Sequence, residues 1–206
     1  MGLFIVFEGC DGSGKSTQAA LLLDILQAEG HQVIMSREPG GTPFGESLRN
    51  LIKSSNDLDP LSKLLLISSS RTHLVKSIIQ PALDSGRTVV CDRFAPSTIA
   101  YQGYGSNIDL AFIDQLNQFA IDDTVPDLVI LLDMPVETSL GRKTELVKDS
   151  FEKENVTFHN RVRQGYLEQA KSDPAHWLVL DGTKNKDTLF QMVWQRVSTL
   201  INATKQ

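Results

Sequence analysis

The sequence predicts an α/β protein, a parallel sheet with helices on both of its faces. Two observations carry this. Short continuous apolar runs, the mark of strands buried on both sides, alternate along the chain with longer segments of helical periodicity. The first run, Leu3-Phe4-Ile5-Val6-Phe7, also passes through a glycine-rich turn directly into a helix, which carries Ala19-Ala20-Leu21-Leu22-Leu23 and Ile25-Leu26 and stops at Gly30.

The remaining elements follow in order. A second strand spans His31 to Met35, and the loop Arg37-Glu38-Pro39-Gly40-Gly41-Thr42-Pro43 leaves it. Helices are expected over Phe44 to Lys53 and over Pro60 to Leu83, the latter long enough to bend. Thr88-Val89-Val90-Cys91 reads as a buried strand ending at Asp92-Arg93, and Asp109 to Ala120 as a helix. Leu128 to Leu132 is the next strand, and Pro135 opens a helix, a first-turn position that suits proline. A charged stretch from Arg142 to Glu154 leads into a helix through Lys171. Trp177 to Leu180 is the last strand and Lys186 to Ile201 the closing helix. In open sheets of this kind ligands bind beyond the carboxyl ends of the strands. The glycine-rich turn, Arg37, Asp92-Arg93 and Asp181 all fall there.

That turn is the most specific signal in the chain. Gly9-Cys10-Asp11-Gly12-Ser13-Gly14-Lys15-Ser16 fits G-x-x-x-x-G-K-[ST], the phosphate loop, between a buried strand and a helix N-terminus. Its backbone N–H groups and the helix dipole attract anions, so the chain is expected to bind a nucleoside triphosphate and to have the three-layer fold of phosphate-loop NTPases. Lys15 is placed on the β- and γ-phosphates, the Ser16 hydroxyl on Mg²⁺ and Thr17 at the α-phosphate.

Bulk properties exclude other classes. The 206 residues suit a single domain. A net charge of −5 argues against broad charge-driven binding to nucleic acid or membrane. Cys10 and Cys91, the two cysteines, are too few for a disulfide framework, so a reducing cytoplasm is expected. No apolar run approaches the roughly 20 residues of a membrane span, and no signal peptide is read at the N-terminus. The four histidines show no metal-ligand spacing.

Three further groups bear on chemistry. Asp92-Arg93 closes a buried strand facing the phosphate loop. It is either a strand-end ion pair or a functional pair, with Asp92 near the metal's water shell and Arg93 on the accepting phosphate. Phosphoryl transfer gains chiefly from positioning and charge neutralisation, which favours the second reading. Arg37 offers a planar fork to an anion, and Glu38-Pro39 is a candidate for a cis bond, a geometry that a minority of X-Pro bonds adopt. The charged run from Arg142 through Lys148 is either a solvated helix face or a lid bringing a cation to the transferring phosphoryl; the lid is favoured.

Taken together these segments resemble the thymidylate kinase family. The resemblance rests on Phe7-Glu8-Gly9, on Arg37-Glu38-Pro39-Gly40-Gly41-Thr42, and on Asp92-Arg93-Phe94 continuing through Ser97 to Ala100-Tyr101-Gln102-Gly103. It also rests on Phe158-His159-Asn160-Arg161-Val162-Arg163-Gln164-Gly165-Tyr166-Leu167-Glu168, which looks like that family's post-lid helix. The resemblance implies a five-stranded parallel sheet, a homodimer, and transfer of the γ-phosphoryl of ATP to dTMP, with Mg²⁺. It places Arg71 on the thymine ring, Arg93 and Arg37 on the dTMP phosphate, Asp11 on the sugar 3′-hydroxyl and Pro39 near the thymine methyl. Tyr101 would block a ribose 2′-hydroxyl, Ser97 and Gln102 would line the base pocket, and Arg142 would lie over adenine. The acceptor region then spans about 37–75 and 93–106, and the lid about 142–154.

Two departures stand out. Ile67 occupies a position where the family commonly has a phenylalanine stacked on the base, so looser base discrimination is expected. Asp149-Ser150-Phe151-Glu152 stands where many bacterial members have Asp-Arg-x-Glu, which leaves Arg142, Lys143 or Lys148 to supply the lid cation. Rival readings are a kinase for dUMP, UMP, CMP or dCMP, a phosphate-loop switch, and a degenerate kinase kept for binding. No N/T-K-x-D guanine-reading motif supports a switch, and intact Lys15, Ser16 and Arg93 count against degeneracy.

Overall fold

The computed structural model describes residues 2–55, 57–142 and 155–204. Among these lie β1 (Phe4–Glu8), β2 (Val33–Arg37), β3 (Thr88–Asp92), β4 (Leu128–Asp133) and β5 (Trp177–Asp181), all parallel in the order β2-β3-β1-β4-β5. The expected five-stranded sheet is therefore present. β2 lies two residues later than the sequence pattern placed it, starting at Val33 and reaching Arg37. Register aligns the ends that matter: Asp92 pairs with Phe7 on one side and with Arg37 on the other.

Strand alternation explains the two layers. On β1, Ile5 and Phe7 join a core with α1 (Lys15–Ala28) and α9 (Lys186–Thr204), through Leu22, Leu26, Leu189, Val193 and Val197. Phe4 and Val6 face the opposite layer, built by α3 (Pro60–Leu74), α4 (Gln80–Asp84) and the turn between them through Leu74, Ile79, Ala82 and Leu83. Both faces of the central strands β1, β3 and β4 are covered, so their middles are apolar, while the edge strands β2 and β5 keep exposed positions; each fully buried Leu, Ile or Phe contributes on the order of 1.5–3 kcal/mol.

The long helix expected from Pro60 to Leu83 is present but interrupted. A π-helical turn, Val75–Ile79, joins α3 to α4. Pro81 sits in the first turn of α4, and its missing N–H and ring would break a regular α-helix there; the wider turn accommodates both. Capping fixes the other starts. Thr42 caps α2 (Pro43–Ser54), Asp59 caps α3, Asp109 caps α6 (Leu110–Ile121) and Asn155 caps α8 (Val156–Ser172), each side chain accepting an N–H three residues on. α7 (Val136–Gly141) starts after Pro135 as expected.

One helical stretch carried no expectation. Residues 95–105 form α5 (Ala95–Thr98) continued by a π-helical segment, Ile99–Gly105. Gly103 and Gly105 dilute its helical signal, whereas Pro96 in the first turn is the cue that sequence reasoning passed over.

Candidate active site

The phosphate loop links β1 to α1, and its conformation is one that glycine permits. Gly9, Gly12 and Gly14 adopt φ values of 139°, 81° and 97°. A Cβ on Gly9 would stand 2.6 Å from the Leu132 carbonyl oxygen of β4, so the loop can hug the sheet only with glycine here. Cys10 and Ser13 are buried beneath the loop, while Asp11, Gly12, Gly14, Lys15, Ser16 and Thr17 line a cavity at its mouth. Lys15 Nζ donates to the Cys10 carbonyl at 2.9 Å, and burial lowers its pKa to about 8. The Ser16 hydroxyl donates to the Asp92 carboxylate, which brings together the two residues assigned to the metal. Both offer oxygen, the donor type Mg²⁺ prefers, and both line the cavity, so they fit that ion.

Arg93 is the hub of the site. It has φ 74°, uncommon for a bulky side chain and a strain on the order of 1–3 kcal/mol, held by its N–H donating to Phe7 O at 3.0 Å. Its Nη1 donates to Ser97 Oγ (3.1 Å) and Tyr166 Oη (2.9 Å). Its Nη2 donates to Asp11 (2.6 Å) and Tyr101 Oη (3.2 Å). Beneath it lies Glu8, a fully buried carboxylate that accepts from Phe94 N, Ser97 N, Ser97 Oγ and Tyr166 Oη at 2.7–3.2 Å. Burial raises the pKa of Glu8 and pushes both tyrosines well up, which leaves the phenols as neutral donors.

Arg71 is buried, ion-paired to Glu38 at 2.7 Å and bonded to Asn117, Thr98 and the Phe94 carbonyl. With Pro39, Ile67, Ser97, Tyr101 and Gln102 it lines a second cavity, so the residues assigned to the base converge. Glu38-Pro39 is cis. Asp11, Glu38, Arg49 and Arg93 line both cavities, which therefore abut.

Some expectations land elsewhere. Arg37, expected on the dTMP phosphate, lines the phosphate-loop cavity, and its fork is bidentate to Glu46 (3.1 and 2.9 Å). Arg142 donates to the Gly182 carbonyl at 3.0 Å in the loop after β5 and lines neither cavity, so it does not stand at the transfer point. Lys143, Lys148, Ser150 and most of the expected lid lie outside the described residues.

Sequence reasoning missed four residues. Arg49, which donates to Pro39 O at 2.8 Å, looks in sequence like any cation on the polar face of α2. Glu8 and Tyr166 sat inside quoted motifs without a role; a carboxylate closing an apolar strand was the available cue. Asn117 carried no cue.

Comparison with known proteins places the chain in a family. The family model described as "Thymidylate kinase" matches residues 7–193. A thymidylate kinase of Dehalococcoides mccartyi is 41% identical over 208 residues, covering 100% of both chains. One from Deinococcus radiodurans is 42% identical, covering 96% of this chain and 97% of its own. A crystal structure of thymidylate kinase from Ehrlichia chaffeensis superposes with a TM-score of 0.79 at 38% identity, over 95% of this chain and 98% of that one.

Proposed function

The chain belongs to the thymidylate kinase family, a group of nucleoside monophosphate kinases, and from that premise we propose how its own residues move the γ-phosphoryl of ATP to dTMP. The observation that carries the proposal is the junction of the two cavities. One is walled by the phosphate loop, the other by base-sized apolar and hydrogen-bonding groups, and Arg93 and Arg49 stand at their boundary. A donor phosphate and an acceptor phosphate laid in these spaces meet there.

In this reading ATP lies on Gly9 through Thr17, with Lys15 on the β- and γ-phosphates and Arg142 toward the adenine. Ser16 and Asp92 would hold Mg²⁺, which would offset phosphate charge when bound. Arg93 takes the acceptor phosphate, pre-aimed by Asp11, Ser97, Tyr101 and Tyr166. Such fixed charge needs no reorganisation as the transferring group develops its own, the largest contribution expected in phosphoryl transfer. Arg37 and Arg49 add positive charge. Arg71, Gln102 and Ser97 read the base, Pro39 and Ile67 cover it, and Tyr101 with Asp11 reads the deoxyribose. A lid over about 142–154, including Lys148, closes on the donor.

The proposal extends to one kinase domain over residues 1–206 in the cytoplasm, with an acceptor region at about 37–75 and 93–106 and no nucleic-acid or membrane partner. Among the described residues no helix is long and apolar enough to cross a membrane. We assign a homodimer to the layer of α2, α3 and α6, where apolar side chains are exposed.

The test is a coupled ATP-to-ADP assay with Mg²⁺ and equal concentrations of dTMP, dUMP, UMP and dCMP. dTMP should turn over fastest. Equal use of dUMP would mean that Ile67 and Pro39 do not read the methyl group. ATP binding with no acceptor-dependent turnover would defeat the reading.

A further inference from the structure

The base pocket contains a buried ion pair whose consequences exceed packing. Arg71 and Glu38 side chains are 1% and 2% exposed and 2.7 Å apart. A guanidinium has five N–H donors. Four bonds are accounted for: Nε to Glu38, one from Nη1 to Asn117 at 2.8 Å, and two from Nη2 to Phe94 O and Thr98 Oγ1 at 3.2 and 2.8 Å. That leaves one Nη1 hydrogen without an acceptor among the described residues. Three of the four acceptors are neutral. The Glu38 carboxylate gives the charge-assisted bond, the strong one, and it engages the Nε edge that sets the plane of the fork. Glu38 Oε1, on the cavity wall, is buried with no hydrogen-bond partner, as expected of a pocket completed by a polar ligand.

We propose that Glu38 is a positioning residue for pyrimidine recognition: its carboxylate fixes the guanidinium plane of Arg71, so affinity for the base depends on that carboxylate. This rests on the pocket being the nucleotide-acceptor site. The charged and titratable groups around Glu38 are Arg71 from α3, Glu8 from β1, Cys91 from β3 and, on the shared cavity wall, Arg49, Arg93 and Asp11. Burial, opposed by Arg71, raises the Glu38 carboxyl above its ordinary value.

The probe is thymidine, which carries the base without the phosphate, measured as a competitor of dTMP at fixed pH. Glu38→Gln, which removes the charge-assisted bond, should raise its Ki roughly tenfold and raise the KM for dTMP far more than it lowers kcat. Glu38→Asp, which keeps the carboxylate, should recover part of that loss. A Glu38→Gln enzyme with the wild-type Ki for thymidine overturns the inference, and so does one whose kcat falls as far as its KM rises. If Glu38→Gln does not fold, a Glu38→Asp enzyme with an unchanged Ki overturns it. Failure of thymidine to compete with the wild-type enzyme, with dTMP not turned over, would instead defeat the acceptor-pocket reading and take this inference with it.

Discussion

Lys15 shows how burial of a single side chain sets a pH limit on function. Desolvation lowers its pKa to about 8, while nearby carboxylates pull it back up. An ATP polyphosphate needs the ammonium form, so ATP affinity should fall as pH rises through about 8. Between pH 7 and pH 9 the KM for ATP should rise roughly tenfold while staying nearly constant from 6 to 7. A KM flat to pH 9 would show that Lys15 keeps its proton in the free enzyme. Arg93 supports a second prediction. Its four donor bonds hold it ready for an anion, and Arg93→Ala should lower kcat on the order of 10²–10³-fold with the fold intact by circular dichroism. An active variant would remove Arg93 from the acceptor site. Lys15 and Arg93 were legible because each lies in a contiguous motif whose spacing is its meaning. Arg49, Asn117 and the Glu46 partner of Arg37 were not: Glu46 and Arg49 fold back from α2 onto residues nine and ten positions earlier, Asn117 reaches Arg71 from 46 residues away, and no motif spacing encodes those meetings.

At the level of elements, α8 is what holds the acceptor wall in place. Phe158 and Val162 pack beside Tyr101, and Arg161 closes the π segment by donating to the carbonyls of Tyr104 and Gly105 at 2.5–3.2 Å. The fit is close enough to require glycine. A Cβ on Gly105 would stand 2.7 Å from Phe158 Cε2 and 3.0 Å from Val162 Cγ2. Gly105→Ala should therefore cost about 1–3 kcal/mol by overpacking. It should also raise the KM for dTMP, since Tyr101 and Gln102 ride on the same segment. Gly141, with nothing within 4 Å of an added Cβ, is the control: its alanine variant should melt no lower than wild type. Equal melting of the two variants would mean that α8 yields without cost. Sequence periodicity located α8 itself, and Asn155 marks its start, but the π segment it supports was invisible. Two glycines weaken the helical pattern there, and the packing that overrides them comes from a helix more than 50 residues away.

Across the whole molecule, the proposed dimer would put association and acceptor binding on one helical layer. α3 buries Leu64, Ile67, Ser68, Arg71 and Leu74 while exposing Leu61 and Leu65, a pair four residues apart on its outer side. On the flanking helices, Phe44 and Leu51 of α2 and Phe112 and Phe119 of α6 repeat at seven-residue spacing and are 42–83% exposed. α3 packs against both neighbours, so these side chains belong to one layer. Large exposed apolar patches of this kind mark protein interfaces, and a second copy of the chain is the occupant we assign. Sedimentation equilibrium should therefore give twice the 22.8 kDa chain mass. Placing charge in the layer, Leu65→Arg with Phe112→Arg, should give the monomer. Because the inner side of α3 carries Ile67 and Arg71, losing the partner should also raise the KM for dTMP more than the KM for ATP, whose loop sits on β1 and α1 beyond that layer. A monomeric double variant with an unchanged KM for dTMP would show that α3 is held by its own core alone, through Leu64 and Leu74. A double variant that stays dimeric would place the interface elsewhere.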